Sequence, residues 1–266
     1  MRAQWFVALA FFAFAPAQAA EKAAPLAIGE TFTLRSQALA ETRRINVYLP
    51  PGYAAAPDKR LPVLYMPDGG LAEDFLHVAG LVQVSVGNGT MRPFVLVGIE
   101  NTERRRDLSG PTQNEEDKKV APRVGGSATF RKFLRDELMP EVKARYRTTD
   151  ESAIVGESLA GFFVIETFLV EPELFDTYIA IDPSLWWNNG SLVKSTAERL
   201  RAQANKALWF ASSGEQRGDW IDRFASAVQA NAPPGLKWHY EPMPQEKHST
   251  IYHPAALKAF RAVFRP

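Results

Sequence analysis

Residues 153–163, AIVGESLAGFF, decide how the rest of the chain is to be read. Ala153, Ile154 and Val155 form a short apolar run that stops at Gly156, and from Leu159 onward the apolar residues follow a helical pattern. A buried strand that turns directly into a helix through a serine is the mechanical content of the G-x-S-x-G pattern. Gly156, Glu157, Ser158 and Leu159 supply four positions, and Ala160 stands in the fifth. So sharp a turn needs small residues on either side of the serine. Ala160 adds one methyl where strand and helix approach, and Gly161 beside it relieves the crowding. A serine here is also an ordinary helix N-cap, so the string takes its meaning from its surroundings.

Outward from that turn, the chain switches repeatedly between two periods. INVYLPPGY (45–53), LPVLYMPDGG (61–70) and FVLVGIEN (94–101) read as strands ending in Pro, Gly or polar residues. SATFRKFLRDEL (127–138) places Phe130, Phe133, Leu134 and Leu138 on one helical face behind Ser127 as N-cap. Beyond the serine come strand 177–182, helix 191–203, strand 207–213, helix 219–231, strand 236–243 and a final helix from Pro254. Alternation of apolar strands with helices predicts an α/β fold with a mostly parallel central sheet and helices on both faces. Strands near 31–38 and 43–49 have no helix between them and predict an antiparallel N-terminal edge. The irregular stretch 101–126 is about twice the ~12 residues beyond which a structureless loop usually has a task, and is expected to lie over a site.

Composition narrows the function. The 266 residues are 46% hydrophobic and 23% charged, as expected of one globular domain. Met1 and Arg2, an uncharged run from Trp5 to Phe14 and Ala17-Gln18-Ala19 have the order of a signal peptide, predicting residues 1–19 as signal and 20–266 as the mature domain, periplasmic or secreted. The apolar run is shorter than the ~20 residues that span a bilayer, so no membrane anchor is expected after cleavage. Without Arg2, basic and acidic residues balance, which argues against nucleic acid or an anionic membrane as partner. There is no cysteine, hence no disulfide, thiol nucleophile or thiolate metal site, and no metal or cofactor is expected.

An elbow serine at the C-terminal end of a sheet strand lies where open α/β sheets bind ligands. Its hydroxyl needs a base. Of the four histidines, His77 falls in a helical stretch, His239 in a strand and His253 at the start of the last helix. His248 alone occupies a polar loop, PQEKHSTI, between the last strand and the last helix, which predicts it as the base for Ser158. Oxyanion donors are expected from backbone N–H groups, that of Leu159 and that of Gly69 or Gly70 in the MPDGG turn.

From about Arg43 to Phe264 the chain resembles the bacterial putative-esterase family of α/β-hydrolases, which includes periplasmic esterases of trilactone siderophores and, more distantly, mycolyltransferases and feruloyl esterases. The resemblance is carried by LPVLYMPDGG, GIENTERRRDLSGPT, AIVGESLAGFF, PELFDTYIAIDPSLWW and EKHSTIYHPAAL. It implies the α/β-hydrolase fold and an exported serine esterase acting on a small-molecule carboxylic ester, with a siderophore lactone as one candidate, through an acyl-enzyme on Ser158. Glu157 and Ala160 depart from the family's usual GHSxGG, and Glu157 bears on the charge of the substrate.

Trp186 and Trp187 follow a strand end and are expected to wall an acyl or aromatic pocket. Arg106, with Asp107, matches a family loop near the active site and is expected to bind substrate, against an internal ion pair as the alternative. For the acid of the triad, Glu215 directly after strand 207–213 is preferred to Asp219, with a serine-histidine dyad as the remaining possibility. Acyl transfer uses the same residues as hydrolysis, and a binding protein on a hydrolase scaffold would have no need of serine, histidine and glycines together.

Overall fold

The computed structural model describes Met1, residues 23–200 and residues 205–266. All but Met1 of the segment read as a signal peptide, and residues 201–203 of the expected helix 191–203, lie outside the described residues.

Eight strands form one sheet in the order β1-β2-β4-β3-β5-β6-β7-β8. They are β1 (Glu30–Ser36), β2 (Glu41–Tyr48), β3 (Leu61–Pro67), β4 (Val95–Ile99), β5 (Thr148–Glu157), β6 (Thr177–Ile181), β7 (Ala207–Ser213) and β8 (Lys237–Met243). β1 pairs antiparallel with β2, and β2 antiparallel with β4, which makes the predicted antiparallel edge. From β4 to β8 every pairing is parallel.

The helices are α1 (Phe75–Gly87), α2 (Arg104–Asp107), α3 (Glu115–Lys118), α4 (Ser127–Phe133), α5 (Met139–Arg145), α6 (Leu159–Val170), α7 (Trp187–Lys194), α8 (Thr196–Arg199), α9 (Trp220–Asn231) and α10 (Tyr252–Val263). A π-helical turn, Leu134–Leu138, joins α4 to α5. Gly126, not Ser127, holds the N-cap position of α4: its carbonyl accepts the first intrahelical bond, from the Phe130 N–H at 3.1 Å, and the Ser127 hydroxyl caps nothing among the described residues.

Strand residues alternate between two cores, which is why the parallel strands read as continuous apolar runs. Leu61, Val63 and Tyr65 of β3 belong to the core that includes α4, α6 and α9, whereas Leu64 and Met66 belong to the core that includes α1 and α10. Helix α6 is buried from Leu159 to Leu169, apolar all round apart from Glu166 and Thr167. Glu166 is neutralised by Arg131 of α4 at 2.6 Å. A helix buried on every side is fixed in place, and its N-terminus fixes whatever precedes it. That residue is Ser158.

The stretch 101–126 follows β4, contains α2 and α3, and reaches the segment after β6. Asp117 accepts the backbone N–H of Asn188 at 2.7 Å, and Trp187 donates its indole N–H to the carbonyl of Gly110 at 2.9 Å. Both bonds pin the loop to the segment that follows β6.

Candidate active site

Ser158 has φ 59° and ψ −117°, a conformation in which a side chain is strained. It is held there from both sides: its N–H donates to the carbonyl of Ile181 at 3.0 Å, and its own carbonyl accepts from Ser184 at 2.9 Å. The neighbours must be small because a Cβ on Gly156 would stand 2.8 Å from that of Ala160. Ala160 is therefore tolerated in the fifth position because Gly156 leaves the room. Gly161 is needed against β6, where a Cβ would meet the Ile181 carbonyl oxygen at 3.0 Å.

The loop after β8 brings His248 Nε2 to 3.0 Å from Ser158 Oγ. Its Nδ1 lies 2.6 Å from Oδ2 of Asp182, the residue that follows β6. Asp182 is 4% exposed, and its carboxylate also accepts from the Ser213 N–H at 2.9 Å and hydroxyl at 2.7 Å. Burial alone would raise the pKa of Asp182, but the hydrogen bonds from His248 and Ser213 outweigh it and hold the carboxyl below the usual range. The bond to Asp182 in turn raises His248 above the ordinary imidazole value, with burial opposing and Glu157 adding to the rise. The other three histidines lie elsewhere: His77 against Asp74 and the Tyr252 ring, His239 stacked on Trp209, and His253 beside His77.

Four expectations are corrected by this geometry. Glu215 does not face the imidazole nitrogen; its Oε2 accepts the backbone N–H of His248 at 3.3 Å, so it holds the loop while Asp182 holds the ring. Trp187 is 1% exposed and packed in the core, leaving Trp186 as the aromatic on the site. Arg106 is an internal ion-pair residue, bonded to Glu41 at 2.8 Å and Asp107 at 2.6 Å, because β2 passes directly beneath it. The Gly69 and Gly70 amides are both engaged, Gly69 with the Ile99 carbonyl at 3.0 Å and Gly70 with Glu73 Oε2 at 2.7 Å. Gly69 is required by close packing on β4, where a Cβ would stand 2.3 Å from the Gly98 Cα. Leu159, as the first residue of α6, keeps an N–H with no intrahelical acceptor.

Sequence reasoning passed over Asp182 because it reads as the last residue of the strand TYIAID. Its signal was position: it follows β6 directly as Ser158 follows β5, and the two strands are neighbours. Arg104 was also passed over; it forks onto Asp68, the residue after β3, with both bonds at 2.7 Å.

A cavity of about 280 Å³ opens beside Ser158 and His248, walled by Trp186, Arg217, Trp220 and Ile221. Arg217 lies 4.4 Å over the Trp186 ring, and a second cavity beyond them is bounded by Asn114 and Lys119 of the stretch 101–126. Trp186 is presented by an unusual turn in which Asn188, Asn189 and Gly190 are all left-handed. Asn and Gly are the residues that adopt this conformation at least cost.

The eight-stranded α/β-hydrolase sheet with a strained serine at its centre defines the class to which comparisons can be held. The chain belongs to the esterase family described as "Putative esterase", whose pattern its residues 36–251 match. It is 30% identical over 173 residues to the ferri-bacillibactin esterase BesA of Bacillus subtilis, covering 59% of each chain. It is 30% identical over 146 residues to the siderophore triacetylfusarinine C esterase of Aspergillus fumigatus, covering 48% of this chain and 46% of that one. These matches span less than two thirds of either relative. Among solved structures, the IroE-like serine hydrolase from Shewanella oneidensis superposes with a TM-score of 0.78 at 27% identity, over 89% of this chain and 80% of the other.

Proposed function

We propose that the protein is an exported serine esterase that cleaves a carboxylic ester through an acyl-enzyme on Ser158, with a lactone of the siderophore class as substrate. The observation that carries the reading is the unbroken line Ser158 Oγ, His248 Nε2, His248 Nδ1, Asp182 Oδ2, with contacts of 3.0 and 2.6 Å. In that line His248 takes the hydroxyl proton as Oγ bonds to the acyl carbon and the carbonyl π pair moves to oxygen. Leu159 N–H donates to that oxyanion; Gly70 N–H joins only where Glu73 releases it. The imidazolium returns its proton to the departing alkoxide, and water repeats the sequence to free the acid and Ser158. The siderophore assignment is supported by the names of the relatives and by a wall, Trp186 under Arg217, that suits an aromatic or anionic acyl group.

A fluorophosphonate probe with peptide mapping tests the nucleophile, and mass spectrometry of a ferric catecholate trilactone tests the substrate. Wild type is expected to label on Ser158 and to open the lactone, and Ser158→Ala is expected to do neither while unfolding at the same temperature. A folded wild type that stays unlabelled overturns the enzymatic reading; labelling without lactone opening overturns the substrate. The export proposed here is supported by the signal-like order of residues 1–19 and is tested by N-terminal sequencing of the mature protein, expected to begin at Ala20.

A further inference from the structure

The reaction as drawn makes no use of Glu157, the residue immediately before the nucleophile. It ends β5, its side chain is 16% exposed, and among the described residues its carboxylate has no hydrogen bond. Its Oε1 lies 3.4 Å from His248 Nε2, the nitrogen that also faces Ser158 Oγ at 3.0 Å. That nitrogen has either one lone pair or one N–H, so it serves one partner at a time.

We propose that Glu157 is a positioning residue acting through His248: its carboxylate competes with Ser158 for Nε2, sets the pH at which the base becomes free, and supports the imidazolium formed during attack. The inference rests on the esterase reading only for the pairing of Ser158 with His248.

The surroundings leave Glu157 no better partner. Arg104, the cation that acts on it, is forked onto Asp68; Asp74 at the start of α1 and Asp182 after β6 repel it. Tyr252, at the start of α10, is buried beside these carboxylates with no partner for its hydroxyl among the described residues. His248 itself is faced by Asp182 at Nδ1, Glu157 at Nε2 and Glu215 at its backbone N–H. Burial pushes Glu157 up to about 7, while the bond to Asp182 raises His248 above its ordinary value. Two such groups 3.4 Å apart titrate as a pair. When the pair holds one proton, placing it on Nε2 gives an imidazolium against a carboxylate, which cannot accept from Ser158. The neutral base appears only when that proton leaves. An ionised Glu157 delays this, so the activity limb lies higher on the pH scale than Asp182 alone would place it.

The test is the second-order rate of fluorophosphonate labelling of Ser158 between pH 5 and 9, in wild type, Glu157→Gln and Glu157→Asp, using the mature chain. In parallel, the His248 ring is titrated by NMR in Ser158→Ala with and without Glu157→Gln. Glu157→Gln is expected to move the ascending limb and the NMR titration down by about one pH unit, equivalent to about tenfold in the fraction of free base at a fixed acidic pH. Its plateau is expected to fall about three- to tenfold as the imidazolium loses a carboxylate. Glu157→Asp, which withdraws the carboxylate by one methylene, is expected to give about half the shift. A limb and a titration that both stay in place in Glu157→Gln overturn the inference. If the Gln variant does not fold, an unshifted Asp variant overturns it. If wild type is not labelled at any pH the esterase reading fails, and the NMR titration alone then decides the role of Glu157.

Discussion

One carboxylate, that of Asp182, receives three hydrogen bonds, from the imidazole of His248 and from the N–H and hydroxyl of Ser213. A group so held fixes the tautomer of the ring and stabilises its charged form, whereas Glu215 touches only the backbone of the same residue. Asp182→Asn is therefore expected to lower turnover by about 10⁴-fold, and Glu215→Gln by about tenfold or less. Ester hydrolysis by the two variants, both checked for folding by circular dichroism, reads the difference directly. Equal losses would mean that the two acids share the role. The serine and histidine were legible in the sequence because their signals are local. Small residues around Ser158 announce the strained turn, and the polar loop after the last strand isolates His248 from the other three histidines. The acid was hidden because its identity depends on which strand lies beside β5. Nothing within TYIAID says that β6 takes that place. Which of the two readings of Arg106 holds was hidden for the same reason, since its partner Glu41 is distant in sequence and meets it only once β2 is in the sheet. The engagement of Gly70 was more accessible: Glu73 stands three residues on, the spacing at which a carboxylate reaches back to an N-terminal N–H.

Two adjacent tryptophans on the β6–α7 segment show how an element divides labour. Trp187 points inward, 1% exposed, and ties the stretch 101–126 through its indole N–H. Trp186 points to the cavity beside Ser158 and carries Arg217 on its face. The left-handed run Asn188 to Gly190 reverses the chain between them and the rest of α7, and Gly190 is compelled by Trp220, whose ring a Cβ would meet at 2.1 Å. The sequence announced a WW pair after a strand but could not say which ring would face the site, because that depends on the turn. Trp186→Ala is expected to raise KM for esters of aromatic acids about tenfold, through lost stacking and the freed Arg217, with kcat changed less than about threefold. Trp187→Ala is expected to act on stability instead, by about 3–5 kcal/mol. Steady-state kinetics on matched aromatic and acetyl esters, beside thermal unfolding, separates the two. A KM effect as large for acetyl esters would remove Trp186 from acyl recognition.

Across the whole molecule, the stretch 101–126 is tied down at both ends of the site. At the far end it is bonded to the β6–α7 segment through Asp117 and Gly110. At the near end Arg43 of β2, with a fully buried side chain, pairs with Asp107 and with Glu41 at 2.8 Å, and Arg106 completes the group. The antiparallel edge, which contributes nothing to the line of Ser158, His248 and Asp182, thus serves as the mooring of the stretch that borders the second cavity beside Trp186. Arg43→Ala leaves Asp107, itself 1% exposed, with Arg106 as its remaining cation among the described residues. Breaking a buried pair in this way costs about 3–5 kcal/mol, or about 10 °C in Tm for a chain of this size. The loop is expected to open first, because its near end loses its buried anchor while β5, β6 and β8 keep theirs. Trypsin is then expected to cut at Arg104, Arg105 and Arg106 in Arg43→Ala under conditions where wild type stays intact. Fluorophosphonate labelling of Ser158 before the cut is expected to stay within about threefold of wild type, since the elbow is held by α6 and β6. A variant that loses labelling in step with its resistance to trypsin would show instead that the antiparallel edge supports the elbow itself.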